Sequence, residues 1–128
     1  MGKIGEDFQV LSRIERDKMI SKEIKKLERI FANVEADKVK FVNGLIENSA
    51  FINVTLYELR EILLETGTID NFKNGNQELI REHPAMKNYN SLIKSYSTIM
   101  KQLFELLPNS GDGTKEKDEF LAFIKKAK

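Results

Sequence analysis

The sequence predicts a mainly α-helical protein. An N-terminal helix precedes a long antiparallel helical hairpin, over about 35–66 and 84–107, joined by a small β-hairpin. A short C-terminal amphipathic segment follows. Three observations carry this reading. Apolar residues recur at alternating steps of three and four, the period of a helix with one buried stripe. The seven Gly and two Pro fall mostly between those runs. Charged residues make up 32% of the chain and hydrophobic ones 41%, a balance suited to amphipathic helices.

The first helix begins at Ser12-Arg13-Ile14-Glu15, which has the spacing of a capping box. It runs to about Ala32, with Ile20, Ile24, Leu27, Phe31 and then Val34 in its apolar stripe. Residues 1–11 read as a flexible arm, although Phe8, Val10 and Leu11 could dock. Asn33 can cap the second helix, with Glu35 and Asp37 in its first turn. Val42, Leu45, Ile52, Leu56, Leu59 and Leu63 share one frame, with Ser49 filling its gap. That frame passes unbroken through Asn53-Val54-Thr55, which has poor helix propensity, so one strained helix is expected there. Two helices with a turn at 53–55 are the alternative. Gly67 is placed to end the run.

Lys73-Asn74-Gly75-Asn76 lies between two short segments, and Asn-Gly is a strong hairpin signal. Pro84, after His83, suits the first turn of the next helix. Its stripe is Tyr89, Ile93, Tyr96, Met100, Leu103 and Leu107, and Pro108 stops it. Two long helices joined by a short hairpin should pack antiparallel along their seams. Residues 12–108 thus read as one helical domain and 109–128 as a linker with an amphipathic tail. In the tail, Phe120, Phe123 and Ile124 share one face. A helix of about a dozen residues needs a covering surface. The trio therefore either folds back on the body or binds a partner, and partner binding is the expectation.

Composition narrows the chemistry. With no Cys, thiol catalysis and zinc-thiolate sites are excluded. A single His makes a His-based metal site or triad improbable. There is no phosphate-binding GxxxxGK[ST] or GxGxxG loop, and the oxygen donors around Asp70–Asn76 fail the spacing of a calcium loop. Glu58, Glu61 and Glu65 read as solvated helix neighbours. No enzyme, no cofactor and no metal are expected. Glu6 stands where N-myristoylation requires Ser or Thr, the N-terminal segment lacks the apolar core of a signal peptide, and no run is apolar enough for a membrane span. A soluble, cytoplasmic protein is expected.

The net charge of +1 conceals sorting. Residues 1–40 hold ten basic and eight acidic side chains, residues 41–82 three and seven, and residues 83–128 eight and five. On the first helix Lys18, Lys22, Lys25, Lys26 and Arg29 fall on the face opposite the apolar stripe. A row of cations can track a phosphate backbone, although a solvated helix face is also commonly charged. Tyr89 and Tyr96, seven residues apart on one seam, read as core rather than base-stacking residues.

The order of parts resembles a known family. The carrying stretches are Val42-Asn43 followed by GLIENSAF at 44–51, then Glu65-Thr66-Gly67 and the Asn-Gly hairpin. HPA at 83–85, YNSLIKSY at 89–96, KQL at 101–103 and LLP at 106–108 complete the set. Over roughly residues 22–108 the chain resembles the short, mostly helical terminase small subunits of tailed phages and prophages of Gram-positive bacteria. The resemblance implies a non-catalytic DNA-packaging component of virion assembly in the bacterial host cell. Such a subunit forms a homo-oligomeric ring, binds viral double-stranded DNA and passes it to the large terminase subunit. Many members carry an N-terminal helix-turn-helix. Here one helix precedes helix two with no tight turn to a second, so the basic face is the better candidate for DNA contact. A helical protein–protein adaptor or regulator without DNA binding is the alternative. A small hydrolase or nuclease would need an acid cluster that the sequence does not supply.

Overall fold

The computed structural model describes residues 10–74, 77–108 and 113–127, and the fold is mainly helical. Helix α1 spans Arg13–Ile30. Its start is fixed by the reciprocal pair that the sequence spacing allows. The Glu15 N–H donates to Ser12 Oγ at 3.1 Å, and the Ser12 N–H donates to Glu15 Oε1 at 2.9 Å. Those hydrogen bonds hold the Glu15 carboxyl below its usual range, the bond from the Ser12 backbone contributing most.

A turn follows α1, closed by the Val34 N–H on the Phe31 carbonyl. A single 3-10 turn, Ala36–Lys38, then leads into helix α2, Val39–Thr66. The expected cap at Asn33 is not made. The 3-10 turn starts after Glu35 and α2 after Lys38, neither with a side-chain cap. The tighter turn places the helix start several residues beyond Asn33, out of reach of its side chain.

Helix α2 runs unbroken through Asn53-Val54-Thr55. Each of these residues has a local reason to stay. Asn53 is bound across to α1, Val54 is buried, and Thr55 Oγ1 donates back to the Phe51 carbonyl at 2.9 Å. Gly67 ends the helix at φ 81°, a left-handed conformation that L side chains rarely adopt, and its N–H closes on the Leu63 carbonyl.

Strands β1 (Ile69–Asn74) and β2 (Gln77–Glu82) pair antiparallel, with Ile69 opposite Glu82 and Asn71 opposite Ile80. The Gly75-Asn76 turn between them lies outside the described residues. Helix α3, Pro84–Glu105, starts with Pro84 in its first turn and is capped by His83, whose Nδ1 accepts from the Ala85 N–H at 3.0 Å. Helix α4, Gly113–Ala127, closes the chain.

Cross-helix pairs set the directions. Arg16, near the start of α1, meets Glu58 in the second half of α2, and Glu23 meets Asn53. The end of α1 (Leu27, Ile30, Phe31) shares a core with the start of α2 (Val42, Ile46) and the end of α3 (Met100, Leu103, Leu107). Both neighbours therefore run antiparallel to α2. Two lines of α2 are buried as a result. Val42, Ser49 and Leu56 follow the heptad, and Ile46, Ala50 and Val54 lie beside them. The single frame expected from the sequence accounts only for the first line, because a helix packed on two sides needs a wider apolar arc. The last turns of α2 extend past the start of α1, and there Leu64, Ile69 and Ile80 are exposed.

The two terminal segments depart from expectation. Leu11, at the end of the expected flexible arm but among the residues noted as able to dock, is buried, and Arg16 Nη2 donates to its carbonyl at 3.4 Å. Residues 1–9, Phe8 included, lie outside the described residues, as does the linker at 109–112. The C-terminal segment is no separate tail. Phe120 is 0% exposed and sits edge-on to Phe31, with ring centroids 5.6 Å apart, and beside Phe104 at 6.2 Å. Phe123 is buried in the same core and Ile124 packs against it. The trio expected to bind a partner is covered by the chain's own α1 and α3, because the open end of the three-helix body leaves an apolar surface that α4 fits.

Candidate functional site

The outward face of α1 carries Lys18, Lys22, Lys25, Lys26 and Arg29, and all five are exposed. Periodicity explains the placement. Leu27, Ile30 and Phe31 turn into the core, so the residues about half a turn away face outward. From Lys18 to Arg29 the row spans ~16 Å at ~1.5 Å per residue, comparable with about five phosphates along one DNA strand at ~3.4 Å each. No ion pair joins any of the five to another described residue. The nearby acid Asp17 is engaged with Arg13 at 3.8 Å. Lys18, Lys22 and Lys25 line one shallow groove together with Ile14 and Ser21.

Lys26 lies at the edge of this face and also borders a second feature, a cleft between α1, α2 and α4. On its wall the Asn53 Nδ2 group donates to both oxygens of Glu23, at 2.8 and 2.9 Å. Burial pushes the Glu23 carboxyl up, opposed by the hydrogen bond from Asn53 and by the nearby Lys26 charge. A mid-helix Asn opposite a Glu at the margin of the apolar stripe is the sequence signal for this pair, but only the packing of α1 on α2 brings the two together.

A second polar tie lies one end further along. Arg16 Nε donates to Glu58 Oε1 at 2.9 Å and Nη2 to Oε2 at 2.8 Å, a bidentate fork that also raises the Arg16 pKa. Glu58 is thus an interhelix partner and not a free surface acid.

The tyrosines are packing residues. Tyr89 and Tyr96 are both half-buried on α3. The Tyr96 hydroxyl is buried without a hydrogen-bond partner among the described residues. Its pKa is pushed up to about 12, chiefly by burial and secondarily by the Glu23 charge. His83 is spent on the α3 cap. No helix among the described residues is long and apolar enough to cross a membrane.

Comparison with known proteins finds no matching family model, no matching curated protein and no matching solved structure. The functional reading therefore rests on the residues themselves.

Proposed function

We propose that this chain is a non-catalytic DNA-packaging subunit of the small-terminase kind. It contacts viral double-stranded DNA through the outward face of α1, acts as a homo-oligomer and passes DNA to a large subunit. The observation that carries the reading is the row Lys18, Lys22, Lys25, Lys26 and Arg29, exposed, opposite the core and unpaired among the described residues. Unpaired cations on a rigid helix bind a polyanion with little reorganisation, and most of the affinity comes from released counterions.

The reading is tested by fluorescence anisotropy on a DNA duplex at several salt concentrations. Four phosphate contacts give a slope of about −3.6 in log affinity against log salt, so binding weakens about a hundredfold between 50 and 200 mM. Changing Lys18, Lys22, Lys25 and Arg29 to Glu removes binding while the circular dichroism spectrum stays helical. A wild-type chain with no DNA affinity at low salt would defeat the proposal.

A protein–protein adaptor without DNA contact is the second reading. It draws on the exposed apolar residues at the far end of the α2–α3 pair, Leu64, Ile69 and Ile80. Sedimentation separates the two: the first requires an oligomer that shifts mass on adding DNA, the second an unchanged mass.

A further inference from the structure

The cleft between α1, α2 and α4 has a volume of about 420 Å³ and is partly open to solvent. Its depth is apolar. Ile30, Val54 and Phe123 are all buried at its wall, and Tyr57 adds an aromatic side. Each of the three helices contributes one cation: Lys26 from α1, Arg60 from α2 and Lys126 from α4. None of the three makes an ion pair with a described residue.

Two carboxylates also border the cleft, Glu23 and Glu119. Glu23 is held through both oxygens by Asn53, a neutral amide that leaves its negative charge in place beside Lys26. Glu23 and Glu119 together oppose three cations, so the lining keeps one net positive charge. Buried apolar side chains beside more exposed, net-positive charged groups suit an anionic head on a hydrophobic body. A purely apolar ligand would leave the charged groups unused, and a cationic one would meet a lining with a net positive charge.

We propose that this cleft binds a small amphipathic organic anion, with one carboxylate, sulfonate or phosphate head and an aromatic or short aliphatic body. The head lies among Lys26, Arg60 and Lys126, and the body lies on Val54, Tyr57 and Phe123. The site shares Lys26 with the row on α1 proposed to contact DNA and is otherwise separate from it. Only part of the cleft would be formed without α4, so its docking completes the site.

The test uses the full chain and 8-anilinonaphthalene-1-sulfonate, an aromatic sulfonate whose fluorescence rises on leaving water. Saturable binding at one site is expected, displaced by decanoate and not by decyltrimethylammonium. Two-dimensional NMR should place the shifts at Val54, Tyr57 and Phe123. The pair Arg60→Glu and Lys126→Glu should weaken binding at least about tenfold. Lys18→Glu with Lys22→Glu, outside the cleft, should leave it unchanged. Arg60→Gln with Lys126→Gln keeps side-chain size and should weaken binding in the same direction if the charge-reversed chain does not fold. Non-saturable fluorescence, equal displacement by the ammonium compound, or affinity unmoved in both double variants would each overturn the proposal.

Discussion

Truncating Phe120 to Ala tests whether α4 belongs to the folded body. The side chain is 0% exposed and lies between Phe31 of the α1 end and Phe104 of α3, with centroids at 5.6 and 6.2 Å. Its removal forfeits the transfer free energy of a full aromatic ring, leaves a cavity and breaks two ring contacts. Buried Phe→Ala substitutions cost about 3–5 kcal/mol, and aromatic pairs add ~0.5–1.5 kcal/mol beyond area. Helix α4 can shift to refill part of the space, so about 3 kcal/mol, the lower end of that range, is the expected loss. Against a typical total of ~5–15 kcal/mol, a loss of that size is readily measured by urea unfolding followed at 222 nm. Leu121, on the same helix but 48% exposed, is the control, and Leu121→Ala should stay within ~0.5 kcal/mol. If Phe120→Ala costs less than about 1 kcal/mol, α4 is not docked in solution. The trio Phe120, Phe123 and Ile124 would then be free to bind a partner, and the cleft it completes would be open on one side.

Three further outcomes follow from two polar groups. The Tyr96 hydroxyl has no hydrogen-bond partner among the described residues, so Tyr96→Phe should be neutral or stabilising by up to ~1 kcal/mol, and a larger loss in urea unfolding would mean that the hydroxyl is satisfied in solution. The same group ties stability to alkaline pH. Its pKa rises from 10.0 to about 12 on folding, so the folded state holds the proton longer. This contribution is fully present below pH 10 and is lost as pH rises towards 12, and Tyr96→Phe should flatten that part of the profile. Ser12→Ala removes the side-chain acceptor for the Glu15 N–H and should cost about 1 kcal/mol. Amide exchange should rise in the first turn of α1 and stay unchanged in α3, and uniform protection would contradict the cap.

Much of the helical framework was legible because its causes are local. The Ser12–Glu15 cap, the stop at Gly67 and the Pro84 start each depend on residues within a turn of one another. So does the apolar stripe of α1, and with it the outward direction of Lys18, Lys22, Lys25 and Arg29. The Asn33 cap failed for a reason that is also short in range. A 3-10 turn, closed by the Lys38 N–H on the Glu35 carbonyl, precedes α2, so the helix starts well past Asn33. The cleft was not legible, because its lining combines residues from 19 to 126 that no spacing rule relates.

By itself the sequence determined which segments are helical, which face of each is apolar, and that the cations of α1 point away from that face. These follow from backbone caps and a 3.6-residue period, which act within a few residues. Only the tertiary structure decided what covers each apolar face. Periodicity shows that Phe120, Phe123 and Ile124 need a partner surface, but the burial gained is the same whether that surface is another protein or the chain's own core. Phe31 and Phe104, at the ends of α1 and α3, pack on Phe120 and settle the choice in favour of the core. The second buried line of α2, the Glu23–Asn53 tie and the cleft depend likewise on how α1 and α4 pack around α2, a long-range fact that side-chain order along the chain does not encode locally.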